Sequence, residues 1–461
     1  MCFPLLSRWL GPAAYGVYAL AATVIGLAST LGLSGLDMAY ARYFLDSHNS
    51  DQQEAVEAYC WTKAIATSAL CTLPATFIWL LLSKNFAPLD RITVAFFVPV
   101  AVVLSVLSTM ATTRIRLSSR YSHLAVSVAS AAVASALISL LVAALGVRGV
   151  LPLLLGTITT SALSVLLLGL PPLTKLRVKS LRIPRSKRHD VIKLGMSCAV
   201  TGPLYWLIAS SDRWFLALNR SETEVGIYSI ASTLALMGIM VNSAVHLALF
   251  PEASRLVNES FGDETFRLAR LWEQLAVLLL IVMVFVGSLG EPLLRILTAP
   301  SFHGGASYIP WLACGSFFYG LAGLGNLPFF LSGKMERVAI LWGFISVLCL
   351  ILNILLIPPF GGLGAAIAQM LTYVSLSLVV LISGQSFFSI PLRWGRLTLA
   401  LLLGLTGLFG LTLITISSPM VELMLDLIIS VGLGFLLVWL VSPSALGQLL
   451  THANRLQFPR L

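Results

Sequence analysis

The amino-acid sequence predicts an all-α, polytopic membrane protein. Of its 461 residues, 58% are hydrophobic and only 10% are charged, whereas soluble domains carry about 25% charged residues. The apolar residues form repeated runs of about 20, the length at which a helix crosses a hydrocarbon layer of roughly 30 Å. These observations exclude an ordinary soluble enzyme, because too few polar side chains remain to cover a water-exposed surface.

Thirteen apolar runs are predicted to be membrane-spanning helices. Gly and Pro inside several of them are tolerated where neighbouring helices satisfy the freed backbone groups. Met1–Leu10, which precedes the first run, is predicted to be the last turns of a further helix whose earlier part is missing. The thirteen runs cover approximately residues 13–34, 60–83, 92–113, 122–146, 149–170, 191–218, 224–250, 271–289, 306–331, 337–357, 361–387, 395–417 and 420–441.

The net charge of +10 arises from 29 Lys and Arg against 19 Asp and Glu. When the loops between the thirteen spans are assigned alternately to the two faces of the membrane, the great majority of the Lys and Arg residues lie on one face. The positive-inside rule makes that side cytoplasmic and places the C-terminus inside. The excess of positive charge is therefore interpreted as an orientation signal, and no nucleic-acid partner is expected. The six cysteines are scattered without metal-ligand spacing, so we expect packing residues and neither a metal nor a cofactor.

The sequence contains an internal repeat. Short motifs recur in the same order at nearly constant offsets, and duplication of this kind is common in transporters. Because both copies enter the bilayer in the same direction, the sequence predicts a parallel repeat about an axis along the membrane normal. The matching pairs are Arg8-Trp9 with Arg213-Trp214, Tyr15-Gly16-Val17-Tyr18 with Val225-Gly226-Ile227-Tyr228, and Gly146-x-x-Gly149 with Gly361-x-x-Gly364.

The repeat predicts four regions. Residues 1–170 form an N-terminal transmembrane lobe, and residues 191–387 form a C-terminal transmembrane lobe. Residues 388–461 add two further helices and a cytoplasmic tail. The basic segment 171–190 between the lobes is predicted to be a cytoplasmic linker. It is interpreted either as a solvated connector or as a surface patch that attracts anionic lipid headgroups.

Four segments carry a family resemblance over nearly the whole chain. They are RWLGPAAYGVYALA (8–21), SSDRWFLALNRSETEVGIYSIA (210–231), LFPEASRL (249–256) and PPFGGLGAAIAQML (358–371). These segments resemble bacterial polysaccharide flippases of the Wzx type, in the multidrug/oligosaccharidyl-lipid/polysaccharide exporter superfamily. The resemblance implies two six-helix lobes around a central cavity plus two C-terminal helices, with the first helix truncated in this sequence.

The resemblance also implies a function. The expected protein is a non-enzymatic flippase that carries an undecaprenyl-pyrophosphate-linked O-antigen or related repeat unit across the bacterial cytoplasmic (inner) membrane by alternating access. Such a head group needs a wet cavity, because its hydroxyls and phosphates would otherwise lose their hydration uncompensated. The expected partners are this polyprenyl-pyrophosphate-linked oligosaccharide, membrane lipids, and a polysaccharide polymerase with glycosyltransferases.

The alternatives to a flippase are an exporter and a membrane enzyme. A multidrug or cation exporter of the same superfamily would have acidic or aromatic cavity residues, and the apolar runs contain few acids. An integral-membrane glycosyltransferase or polymerase would need catalytic carboxylates, commonly in sizeable outer loops, and the predicted outer loops are short. Because the sequence has no Gly-rich phosphate-binding motif, this chain is not expected to hydrolyse ATP.

The candidate binding residues are polar or charged side chains within or beside the spans. Charges inside a span are costly and call for an explanation. Asp212 and Arg213 lie well inside one run, and Arg8 is the repeat counterpart of Arg213. They are interpreted either as cavity residues, since Arg binds pyrophosphate bidentately, or as a structural pair with a snorkelling Arg213. The remaining candidates are Asp37, Arg42, Lys63 and Arg255 near inner helix ends, as headgroup contacts or interface anchors, and Asn242 and His246 within one span, as cavity residues or hydrogen-bonded packing.

Overall fold

The structure is a computed structural model that describes residues 3–46, 49–84, 86–171, 185–258, 264–414, 416 and 418–441. All regular elements of this part of the chain are helices. Eleven of these helical stretches are long and apolar enough to cross a membrane, which confirms the predicted class. The predicted tail, 442–461, and most of the predicted linker, 172–184, lie outside the described residues.

The chain divides into two compact units. The first comprises residues 1–226 and holds seven helices of the described chain and the start of an eighth. Their bounds are α1 Phe3–Leu33, α2 Leu36–Leu45, α3 Ser50–Leu82, α4 Pro88–Leu117, α5 Tyr121–Ala144, α6 Leu151–Leu168, α7 Arg185–Asn219 and α8 Glu222–Asn258.

The second unit comprises residues 227–461 and begins inside α8. Its extensive apolar core includes the buried side chains of Trp272, Met283 and Phe317. The elements that follow α8 are α9 Glu264–Leu297, a 3-10 helix Pro300–Tyr308, α10 Ile309–Gly325, α11 Leu327–Leu331, α12 Met335–Gln385, α13 Trp394–Leu411 and α14 Pro419–Val441.

Each of the thirteen predicted spans overlaps helical structure, although the helix on the span 395–417 ends at Leu411. The spans 337–357 and 361–387 lie on the single long helix α12, which is interrupted at Gly361 with φ 58°. In α1, the turns that precede Pro12 are separated from the rest of the helix at Gly11, where φ is 71°. Positive φ strains residues that carry a Cβ, so glycine is the residue suited to both interruptions. The predicted division into lobes and linker stays a prediction.

The repeat has a structural counterpart. Gly146 and Gly361, which the sequence pairs, both have positive φ, at 84° and 58°. Gly146 lies between α5 and α6, and Gly361 lies between the two halves of α12. The two copies therefore reverse or interrupt their helices at the same point of the repeat.

A second pair of repeat-related glycines lies in direct contact within the first unit. A Cβ on Gly16 in α1 would lie 1.7 Å from the carbonyl oxygen of Glu222 in α8. A Cβ on Gly226 would lie 1.9 Å from the carbonyl oxygen of Pro12. The two backbones thus cross with no room for a side chain, which is how small residues allow membrane helices to approach closely.

We expect the Gly16→Ala and Gly226→Ala variants to be destabilised, each by about 1–3 kcal/mol, because the added methyl group must push backbone apart. Thermal unfolding of the purified protein in detergent measures the change. Gly343→Ala is the matched control, since a Cβ there has no neighbour within 4 Å and alanine is the better helix former. Equal unfolding temperatures for all three variants would contradict the close crossing.

Candidate functional site

The strongest candidate pair, Asp212 and Arg213, lies in α7 within two turns of its C-terminal end. Asp212 is 2% exposed, and its Oδ1 lies 3.6 Å from Nη1 of Arg213. The same carboxylate oxygen accepts a hydrogen bond of 2.8 Å from the backbone N–H of Arg213, and Nη1 donates to the carbonyl oxygen of Ala209 at 2.9 Å. The carboxylate is therefore buried and paired, while the guanidinium is only partly buried.

Aromatic side chains fix this part of α7 against α1. The indole N–H of Trp206 donates to the backbone oxygen of Thr23 at 2.7 Å, and that of Trp214 donates to the Thr23 hydroxyl at 2.8 Å. Trp214 also packs edge-on against the fully buried Trp79, with ring centroids 6.4 Å apart. Because Trp206 and Trp214 bracket Asp212 and Arg213 in sequence, these contacts hold the charged pair in a defined position.

Arg8, the repeat counterpart of Arg213, is exposed on the first turns of α1. Arg42 in α2 is also exposed and lies 4.0 Å from Asp46. Lys63 is exposed in α3, with its ammonium group 6.0 Å from the ring of Tyr59. These positions suit either an interface anchor or a headgroup contact, so their functional roles stay predictions.

Asp37 and Arg255 are also candidates that lie near helix ends. Asp37 is partly buried in the first turn of α2, where a carboxylate is favoured by the helix dipole. Arg255 is exposed in the last turn of α8 and donates two hydrogen bonds to Glu252, at 2.6 and 3.1 Å. These hydrogen bonds lower the pKa of the Glu252 carboxyl. The contact between Arg255 and Glu252 is local to the end of α8.

Asn242 and His246 connect α8 to α10. The Asn242 amide donates to the carbonyl oxygen of Ser316 at 2.6 Å, and Nε2 of His246 lies 3.1 Å from the carbonyl oxygen of Gly320. Gly323 leaves space for the imidazole, because a Cβ there would lie 1.8 Å from its Cε1. This geometry favours the packing interpretation of both residues over a role in ligand binding.

Glu273 of α9, a buried acid in the second unit, is not among the candidates predicted from the sequence. Glu273 is 2% exposed and accepts hydrogen bonds from the backbone N–H and from Nε of Arg393, at 2.8 and 3.0 Å. Arg393 immediately precedes α13, and its guanidinium also donates to the backbone oxygen of Val441 at the end of α14 at 3.3 Å. One ion pair therefore joins α9, α13 and α14.

Substituting Glu273→Gln should destabilise the protein by roughly 2–3 kcal/mol. Breaking a buried pair costs about 3–5 kcal/mol, and the half-exposed Arg393 reduces that cost through solvent screening. Glu252→Gln, which breaks the exposed pair with Arg255, should leave the unfolding temperature unchanged. Thermal unfolding in detergent compares the two variants, and equal effects would mean that the buried pair does not join the helices.

The second unit also contains an apolar cavity of about 240 Å³ between α9, α10, α12 and α13. Its wall includes the side chains of Trp272, Phe317, Leu381 and Trp394. Trp272 and Trp394 are the chain neighbours of Glu273 and Arg393, so the ion pair that joins these helices lies beside the cavity. A cavity with this lining suits a hydrocarbon chain and offers little to a sugar.

A protein-family model described as "Polysaccharide biosynthesis protein" matches residues 5–304. This range includes α1 to α9 and therefore the Asp212–Arg213 pair. The chain belongs to this polysaccharide biosynthesis protein family. Membership confirms the family resemblance of the four sequence segments, whose residues lie largely within the matched range.

Solved transporter structures share the fold of this family member. A structure of the lipid II flippase MurJ in an inward closed conformation has a TM-score of 0.68, at 13% identity, over 95% of this chain and 98% of that one. An inward-facing multidrug resistance MATE family transporter of the MOP superfamily has a TM-score of 0.67, at 15% identity, over 86% and 94%. A search of curated proteins gives no match. At these identities the likeness establishes the fold.

Proposed function

We propose that this protein is a flippase that moves an undecaprenyl-pyrophosphate-linked oligosaccharide, such as an O-antigen repeat unit, across the bacterial cytoplasmic membrane by alternating access. The supporting observation is that a chain of a polysaccharide biosynthesis family has the fold of the lipid II flippase MurJ over 95% of its length. A multi-pass membrane chain in polysaccharide synthesis is well suited to the step that transfers material between leaflets.

Arg213 is the residue proposed to bind the pyrophosphate. Its side chain retains 16% exposure, while that of Asp212 retains 3%, so the cation is the accessible member of the pair. A guanidinium carries five N–H donors in a planar fork that matches phosphate oxygens. Asp212 then holds the Arg213 side chain in place and offsets its charge when no substrate is bound.

The lipid carrier needs a different environment from its head group. The apolar cavity beside Trp272 and Trp394 offers hydrocarbon-like walls, which supports a role in holding part of a polyprenyl chain. The polar head and the apolar tail would then be bound by different parts of the protein, and the tail would never need to enter water.

Replacing Arg213 with Ala should slow translocation at least tenfold, because hydrogen bonds to a charged group contribute about 1.5–3 kcal/mol and 1.4 kcal/mol corresponds to tenfold. The assay uses the purified protein in proteoliposomes that contain the lipid-linked oligosaccharide, and it measures how quickly the sugar becomes accessible on the opposite face. Arg213→Lys should retain part of the rate.

Two controls make this result interpretable. Arg148→Ala removes an exposed arginine between α5 and α6 and should leave the rate unchanged. The double variant Asp212→Asn/Arg213→Gln avoids leaving a buried carboxylate unpaired, and it should be as slow as Arg213→Ala. An unchanged rate in both Arg213 variants, at equal amounts of folded protein, would remove Arg213 from the mechanism.

A multidrug exporter is the second candidate, favoured by the similarity to MATE transporters. It predicts that overexpression raises cellular resistance to cationic drugs and that proteoliposomes do not translocate the oligosaccharide. The flippase proposal predicts the reverse, together with a loss of surface polysaccharide when the gene is deleted.

A further inference from the structure

A polar stripe runs along one face of α14 in the second unit. Glu422, Asp426 and Ser430 are spaced four residues apart, so they lie on the same side of the helix. They are 3%, 3% and 0% exposed, and all face helix neighbours although α14 is otherwise strongly apolar. Ionisable groups at such depth are costly and usually have a specific role.

Most groups of this stripe are bonded across to α9. The Ser430 hydroxyl lies 2.9 Å from that of Ser288, whose own proton is donated to the carbonyl oxygen of Val284. Ser430 is therefore the donor between the two hydroxyls. Glu422 accepts a hydrogen bond of 3.3 Å from Nη1 of Arg295. Arg295 also forms an ion pair with Glu291, one turn earlier on α9.

Asp426 differs from these groups. Its Oδ1 is fully buried and has no hydrogen-bond partner within the described part of the chain. It lies between Glu422 and Ser430 on α14 and interacts electrostatically with Glu422 and Glu291. A buried carboxylate oxygen without a donor is costly in its ionised form. The unpartnered oxygen thus points to a ligand that supplies a donor or a positive charge.

The charges around Asp426 are unbalanced. Glu291 and Glu422 share the guanidinium of Arg295, whereas Asp426 interacts electrostatically with these two carboxyl groups. The helix α14 also packs against α13, whose charged residue, Arg396, lies at the end of α13 far from Asp426. Carboxylates this close disfavour simultaneous ionisation. A proton satisfies the Asp426 oxygen without further ligands, and among the described residues no group of His, Cys, Asp and Glu could hold a metal ion.

We propose that the α9–α14 contact is a proton-binding site, in which the Asp426 carboxyl carries the proton and Glu291, Arg295 and Glu422 surround it. Binding converts the Asp426 carboxylate and one solvent proton into the neutral acid, whose O–H becomes a donor within the cluster. Release of the proton leaves the excess negative charge in the contact and weakens the attachment of α14 to α9. Under the predicted orientation, this site lies at the outer end of both helices.

Infrared difference spectroscopy of the purified full-length protein tests this proposal directly. The wild type should show the carbonyl band of a protonated carboxylic acid at mildly acidic pH, where exposed carboxylates stay ionised, with a shift in heavy water. Asp426→Asn should abolish that band while preserving the fold, because the amide mimics the neutral acid. Glu273→Gln is the matched control, since it alters a buried acid that is paired with Arg393, and the band should remain.

A second variant keeps the test decisive if Asp426→Asn folds poorly. Glu422→Gln removes the neighbouring negative charge, so the midpoint of the pH titration of the band should shift to lower pH. A wild type without the band, a band that survives Asp426→Asn, or a midpoint that Glu422→Gln leaves unchanged would each overturn the proposal. These readouts do not involve translocation, so their outcome is independent of the transport function.

Discussion

The physical constraint on which this structure depends is that hydrocarbon supplies no hydrogen bonds, so each polar group within a spanning helix must find its partner inside the protein. Thr62 and Thr372 donate to carbonyl oxygens one turn earlier in their own helices. Larger polar side chains reach further, as Asn242 does to Ser316 and Glu273 does to Arg393. Each such residue consequently becomes a cross-link between helices, and the set of cross-links determines which helices pack together.

These cross-links require the helices to approach closely. A polar side chain reaches a neighbouring backbone only where that neighbour presents small residues, and Gly320 and Gly323 of α10 provide this space for Asn242 and His246. Where no side chain is needed, the backbones themselves meet, as at Gly16 and Gly226. Small residues on one helix and polar residues on the next are therefore complementary, which is the expected pattern for membrane helices.

The helical spans could be predicted from the sequence because a bilayer fixes their length and requires continuous apolarity. The Asp212–Arg213 pair could also be predicted, since its members are adjacent and lie inside one apolar run. The ion pair between Glu273 and Arg393 joins residues 120 positions apart, and no local pattern specifies such a partner. Glu273 lies at the start of the predicted run 271–289, where an acid is expected at the membrane surface, but the helix begins at Glu264 and packing buries the carboxylate.

The hydrogen-bond partners of a buried charged side chain determine whether it can also bind a ligand. Both carboxylate oxygens of Glu273 accept hydrogen bonds from Arg393, so binding another cation at Glu273 would not be favourable. Arg213 differs because its Nη1 bonds to the neutral carbonyl oxygen of Ala209, and its contact with Asp212 is long at 3.6 Å. A phosphate oxygen would replace a neutral acceptor with an anionic one, and so add the attraction between opposite charges to the hydrogen bond. The hydrogen bond from the backbone N–H of Arg213 to Asp212 does not involve the guanidinium, so the proposed binding of pyrophosphate by Arg213 would leave the buried carboxylate bonded.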